Sequence, residues 1–120
     1  MAFDLMEKQY QLGMVLFEGF ELLDVFGPLE FFGRFPERFA IRMVAENAGQ
    51  LASAQGPVVV ADTALGDIDK LDILLVPGGR GTRREVDNVA LINDLRRIGR
   101  EADIVGSICT GAGLLARTDR

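Results

Sequence analysis

The one cysteine of the chain stands in Asp103-Ile-Val-Gly-Ser-Ile-Cys109-Thr110-Gly111-Ala-Gly113-Leu-Leu-Ala116, where a short apolar run meets a glycine-rich turn and then helix formers. The pattern predicts a strand, a sharp turn and a helix, with Cys109 at the corner. A thiol there stands at the carboxyl end of a parallel strand and beside the amino end of the next helix, whose unpaired N–H groups favour a thiolate. The plainer alternative is a buried structural cysteine, because a free cysteine packs as a small hydrophobe. That role requires neither Gly111 nor Gly113, whereas a nucleophile on a tight turn needs small neighbours so that turn and helix clear the sheet. Cys109 is therefore read as a nucleophile.

A nucleophile needs a proton acceptor, and the chain contains no histidine. Neither a Cys-His pair nor a Ser-His-Asp triad can be assembled from these residues, so a carboxylate must serve. Asp24, in Leu23-Asp24-Val-Phe-Gly27-Pro28, is the acid expected nearest the same sheet edge, with a helix cap as its other reading. Glu18, Glu21 and Glu30 are rivals at positions where caps or solvated faces are expected. Developing negative charge also needs donors, and the backbone N–H groups of Gly79 and Thr110 are the candidates. Gly78-Gly79 taken alone also reads as an ordinary tight turn. Neither Gly79-Arg-Gly81 nor Gly111-Ala-Gly113 has the lysine or the spacing of a phosphate-binding loop. With one cysteine and no histidine, no metal site or internal disulfide is expected.

These residues must be positioned by elements that the hydrophobic pattern outlines. Tyr10 to Phe17 is an apolar run of strand length closed by Glu18-Gly19. Phe20 to Phe32 has helical spacing, but its Gly27-Pro28 pair predicts a helical turn, a break at Gly27 and a second segment with Pro28 in first position, leaving Asp24 on a broken, loop-like piece. Arg38 to Ala45 reads as a strand nearer an edge. Gln50 to Ala54 and Pro57 to Asp62 flank Gln55-Gly56 as a hairpin. Leu65 to Lys70 is expected to be a wet connecting turn. Leu71 to Pro77, with four consecutive large aliphatics, is a strand buried on both faces. Val89 to Glu101 repeats apolar residues every three or four positions, an amphipathic crossover helix that feeds the strand Ile104 to Ile108. The Gly78-Gly79 and Cys109 turns then fall at one sheet edge, outside the carboxyl ends of the strands, where open α/β sheets bind ligands.

Composition agrees with one soluble globular unit: 120 residues, 48% hydrophobic and 26% charged. The net charge of −5, with Arg80, Arg83, Arg84, Arg96, Arg97 and Arg100 interspersed among acids, argues against a nucleic-acid partner. Met1 to Lys8 lacks a basic segment followed by an apolar one. No apolar run approaches the roughly 18 residues of a membrane span, so a cytoplasmic protein acting on a small molecule is expected.

Leu23-Asp24-Val-Phe-Gly27-Pro28, Leu71-Asp72-Ile-Leu-Leu-Val-Pro77-Gly78-Gly79 and Ser107-Ile-Cys109-Thr110-Gly111, in this order and spacing, resemble the ThiJ/PfpI superfamily of class I glutamine amidotransferase-like proteins. Within it they are most similar to the isocyanide hydratase branch and to the related domains of AraC-type regulators. The resemblance runs from about Gln11 to the end of the chain and implies a flavodoxin-like α/β sandwich, mostly parallel, commonly a homodimer. Protease-like members carry histidine directly after the cysteine, whereas Thr110 stands there in this chain, as in the hydratases. By the resemblance, Cys109 is the nucleophile, Asp24 the catalytic acid, Thr110 its companion, and Gly78-Gly79 the turn beside the oxyanion site. The implied reaction adds water to an organic isocyanide to give an N-substituted formamide, without a cofactor. The alternatives are a ligand-sensing regulator domain and a cysteine-based electrophile or redox sensor. Superfamily members continue well beyond the elbow, so the 120 residues read as the amino-terminal portion of a single such domain, truncated after it.

Overall fold

The computed structural model describes residues 8–118, and the leader 1–7 lies outside them. Five strands form one all-parallel sheet in the order β5-β2-β1-β6-β7, built from Tyr10–Val15 (β1), Phe39–Ala45 (β2), Thr63–Ala64 (β5), Ile73–Val76 (β6) and Ile104–Ser107 (β7). A separate antiparallel hairpin pairs Gly49–Ala52 (β3) with Val58–Ala61 (β4). Helices Leu22–Phe32 (α1), Thr82–Glu85 (α2), Val89–Glu101 (α3) and Gly111–Ala116 (α4) complete the chain.

The central strands are those with the longest unbroken aliphatic runs. Leu12, Met14 and Val15 of β1, and Leu74 and Val76 of β6, are fully buried. A strand sandwiched by neighbours on both edges and covered on both faces tolerates no polar alternation, which is why these segments read as continuous apolar runs. β2 lies one place from the edge. The two-residue β5 pairs only with Val44 and Ala45, leaving most of the far side of β2 without a sheet partner, in keeping with a near-edge strand.

Setting aside β5, the order β2-β1-β6-β7 is the doubly wound order of a flavodoxin-like α/β fold, as the sequence leads one to expect. The chain leaves β1 toward β2, then returns to place β6 on the other side. The β1/β6 junction is thus the point where strand order reverses, and crevices open at the carboxyl ends of such strand pairs.

Helix α3 has the bounds that the periodicity predicts. It buries Leu91, Ile92, Leu95 and Ile98, and the Asn88 side chain caps it by accepting the Leu91 N–H at 3.2 Å. Two expectations need correction. Helix α1 is continuous from Leu22 to Phe32 with Pro28 inside it, so Asp24 stands in a first helical turn rather than on a broken piece. Pro28 offers no N–H to the Asp24 carbonyl, a loss that ordinarily disfavours helix. Val25 is fully buried, and Leu22 and Leu29 pack against the same core on either side of the Gly27-Pro28 pair, so tertiary packing overrides the local signal. The segment after β5 is also drier than expected. Leu65 and Ile68 are buried, and their carbonyls accept hydrogen bonds from the Arg97 guanidinium at 2.8 and 2.7 Å.

Candidate functional site

The loops after β1 and β6 are stitched together at the strand-order reversal. Gly81 N–H donates to the Gly19 carbonyl at 3.1 Å and Glu21 N–H to the Gly78 carbonyl at 2.9 Å. This brings the start of α1 against the Pro77 to Gly81 turn. Asp24, 8% exposed, accepts the buried Gly78 N–H on Oδ2 at 3.0 Å. Its other oxygen, Oδ1, has no hydrogen-bond partner among the described residues. One carboxylate oxygen is therefore fixed and the other unengaged.

Gly79 adopts a φ of +123°, a conformation open to glycine and strained for other residues. A Cβ there would collide with the Gly19 carbonyl oxygen and lie 2.7 Å from the Glu21 nitrogen. The turn can press against the loop after β1 because Gly79 carries no side chain, and against the residues around Cys109 because Gly78 carries none.

The corner after β7 is equally constrained. Ile108 N–H continues the β6 ladder by donating to the Val76 carbonyl at 3.0 Å, and the Ile108 carbonyl then accepts Gly111 N–H at 3.0 Å. Between them Cys109 is the single non-glycine residue with positive φ among those described, at +51°. Left-handed backbone costs an L-residue about 1–2 kcal/mol. It persists where the flanking hydrogen bonds over-determine it, as at a strained strand-to-helix nucleophile turn. Gly111 has the matching reason to be glycine, since a Cβ would collide with the Val76 carbonyl oxygen and lie 2.7 Å from that of Pro77.

Two contacts join the corner to the acid. Gly79 N–H donates to Thr110 Oγ1 at 3.1 Å, and Gly78 is close enough that a Cβ would lie 2.8 Å from the same oxygen. Asp24, Gly78, Gly79 and Thr110 are therefore contiguous, and Cys109, an exposed residue, adjoins them through Thr110, while Asp24 is buried. The Gly79 amide, expected to face a ligand, is committed to Thr110 instead. Neither the Thr110 N–H nor the Cys109 N–H has a protein acceptor among the described residues, so both are donors left over.

The rival carboxylates are occupied elsewhere. Glu18 accepts the Ala52 N–H, Glu21 is held by Gln55, and exposed Glu30 reaches Arg34 at 3.4 Å. Gln55 itself was not legible as functional. From the hairpin tip its Oε1 accepts the Leu22 N–H at 3.2 Å while its Nε2 donates to the Glu21 carboxylate, so it caps α1 across 33 positions of sequence. No local signal marks such a residue.

A cavity of about 690 Å³ opens nearby, bordered by Glu18, Glu46, Arg84, Glu85 and Asn88 and crossed by hydrogen bonds from Asn88 to Glu46 and Glu85. None of the five cluster residues lines it. Among the described residues, no group of three or more histidine, cysteine, aspartate or glutamate side chains is disposed to hold a metal. No described helix is long and apolar enough to cross a membrane.

Comparison with known proteins gives the family and supports the fold. The model of the DJ-1/PfpI family matches residues 11–120. The isonitrile hydratase of Pseudomonas putida is 28% identical over 105 residues, covering 88% of this chain and 46% of that protein. An uncharacterised protein of Streptomyces lividans is 29% identical over 109 residues, covering 88% of this chain and 77% of its own. The crystal structure of a ThiJ/PfpI family protein from Pseudomonas syringae superposes with a TM-score of 0.87 at 25% identity, covering 92% of this chain and 46% of that one. The chain thus spans less than half the length of the hydratase and of the P. syringae protein.

Proposed function

The chain belongs to the DJ-1/PfpI family, and from that premise we propose that Cys109 is the nucleophile of a hydratase that converts an organic isocyanide to an N-substituted formamide. The observation that carries this reading is the exposed thiol on a left-handed strand-to-helix corner, linked through Thr110, Gly79 and Gly78 to a buried carboxylate. The similarity to the P. putida isonitrile hydratase supports the choice of substrate class.

In the proposed cycle the Cys109 thiolate attacks the terminal isocyanide carbon. A C–S bond forms, and that carbon takes a proton from Asp24 to give a thioimidate. Water then adds to the same carbon, giving one proton to the Asp24 carboxylate and the other to the nitrogen, which leaves the oxygen on that carbon as an alkoxide. Breaking the C–S bond returns the thiolate and releases the formamide, so the sum is isocyanide plus water. Asp24 suits both steps because Gly78 holds Oδ2 and leaves Oδ1 unengaged. Thr110 contributes in two ways: its hydroxyl fixes the Gly79 turn, and its N–H is a donor for the oxygen of the water adduct.

The test is formamide production from an aromatic isocyanide, with Cys109→Ser and Asp24→Asn as comparisons. Turnover by the wild type and loss of at least about a hundredfold in each variant is expected. A second reading, a cysteine-based electrophile sensor, is favoured by the exposure of the free thiol. Rapid alkylation of Cys109 without any formamide would select it and sink the hydratase.

The reading extends to a homodimer, supported by the apolar residues that α1 and its following turn leave exposed: Leu23, Phe26, Phe31 and Phe35. Light scattering should give twice the chain mass, falling to one chain mass in Leu23→Asp. A monomeric wild type rejects this part.

A further inference from the structure

Two residues in the first turn of α1 grip one residue of the turn after β6. Glu21 N–H donates to the Gly78 carbonyl at 2.9 Å, and Asp24 Oδ2 accepts the Gly78 N–H at 3.0 Å. The buried Asp24 carboxylate keeps that bond only while the start of α1 holds its place against Gly78. Phe20, fully buried, roots the loop before the helix, but Glu21 and Leu22 are half-buried, and the Glu21 side chain at the N-cap position makes no capping bond. The first N–H groups of a helix have no partner within it, so this turn must be held from outside.

The hairpin supplies the hold. Leu51 and Val59 pack against the core and Ala61 is buried, which anchors both of its strands. At its tip Ser53 N–H donates to the Pro57 carbonyl at 2.9 Å and Gly56 N–H to the Ser53 carbonyl at 3.1 Å, and Gly56 has a φ of +110°, a conformation that favours glycine. This closed turn then runs beside the loop after β1. Gly19 N–H donates to the Ala52 carbonyl at 2.8 Å and Ala54 N–H to the Phe20 carbonyl at 2.7 Å, which sets Gln55 opposite Glu21 and Leu22. The Gln55 amide uses both of its ends there. Its Oε1 accepts the Leu22 N–H at 3.2 Å, and its Nε2 donates to the two Glu21 carboxylate oxygens at 3.0 and 2.9 Å. Glu21 is thus tied by its carboxylate to the hairpin and by its N–H to Gly78.

We propose that Gln55 is a positioning residue for Asp24. It acts through the Glu21-Leu22 start of α1, whose place on Gly78 sets the bond between the Gly78 N–H and the Asp24 carboxylate. A helix cap needs only an acceptor for the Leu22 N–H. The bond from Nε2 to Glu21, whose own N–H lies on Gly78, is what joins the hairpin tip to the site. The effect on turnover rests on the hydratase reading, whereas the effect on the Gly78 amide does not.

The test compares Gln55→Ala, Gln55→Glu and the double variant Glu21→Gln/Gln55→Glu by amide NMR and by formamide production from an aromatic isocyanide. In Gln55→Ala the Gly78 amide proton should move upfield and exchange faster with solvent as its bond to Asp24 loosens. Turnover should show kcat lowered about tenfold with KM changed less than about twofold. Gln55→Glu keeps an acceptor for Leu22 but sets two carboxylates against each other, and should show the same changes. The double variant exchanges donor and acceptor between the two positions, and should return both readouts toward the wild type. Gln50→Ala, exposed on β3, should leave both unchanged. Should Gln55→Ala not fold, Gln55→Glu against the double variant carries the same comparison. A Gln55→Ala that is less stable while the Gly78 amide and kcat stay as in the wild type makes Gln55 a helix cap alone and overturns the proposal, as does a double variant no better than Gln55→Glu. If the wild type makes no formamide, the hydratase reading fails, and the Gly78 amide alone supports or overturns the positioning role.

Discussion

The two halves of the candidate site are built to different standards. Asp24 and Gly78 are buried, and the loops carrying them are anchored by the fully buried Phe20 and Val25 and by β1 and β6 at the middle of the sheet. Cys109 and Thr110 are exposed, and they follow β7, an edge strand of four residues whose Ile104 is 57% exposed. The position of the acid is thus a property of the whole fold. The position of the thiol depends on one ladder partner, β6, and on a strained backbone held by a few hydrogen bonds. In the proposed reaction a carboxylate that must keep one oxygen fixed benefits from deep anchoring, whereas a nucleophile must be presented.

Substitutions in the two regions should separate these dependencies. The largest effect is expected at the rooted side: Leu74→Ala, at a fully buried position of β6, should cost about 3 kcal/mol in urea unfolding by leaving a cavity beside the central strand. A cost near zero would mean that β6 is not the shared support of both halves. Gly79→Ala comes next, at about 2 kcal/mol, because it forces an L-residue into a φ of +123° against the Gly19 carbonyl. It should also displace Thr110, so thiol alkylation kinetics should change along with stability. An unchanged rate would show that the Gly79–Thr110 contact does not couple the halves. Asn88→Ala removes the cap of the crossover helix that delivers β7, at a cost of about 1 kcal/mol. The smallest effect belongs to the edge itself: Ile104→Ala should change stability by less than about 0.5 kcal/mol. A cost comparable to that of Leu74→Ala would erase the contrast.

Legibility in the sequence followed the same division between strong local signals and long-range ones. The bounds of α3 come directly from its apolar period. The corner at Cys109 was legible because an apolar strand, a lone cysteine and two glycines are contiguous. Asp24 was legible as a carboxylate near the Gly78 turn, but its helix was not. The Gly27-Pro28 pair is a strong local breaker, and only the burial of Val25 with the flanking Leu22 and Leu29 explains why the helix runs through it. Leu65 and Ile68 were hidden by the polar residues around them. Gln55 could not be assigned at all and the Gly79 amide was assigned to a ligand, because their partners, Leu22, Glu21 and Thr110, are more than 30 positions away in the chain. Side-chain hydrogen bonds across elements leave no periodicity to read.

The central claim is that the Cys109 sulfur bonds to the substrate carbon. Intact mass measurement on protein quenched while it turns over an aromatic isocyanide tests this most directly. The account predicts an adduct heavier than the chain by the mass of the intact isocyanide, mapped to the peptide containing Cys109 and absent from Cys109→Ala. Formamide production with no adduct, at a rate that Cys109→Ala retains, would contradict it.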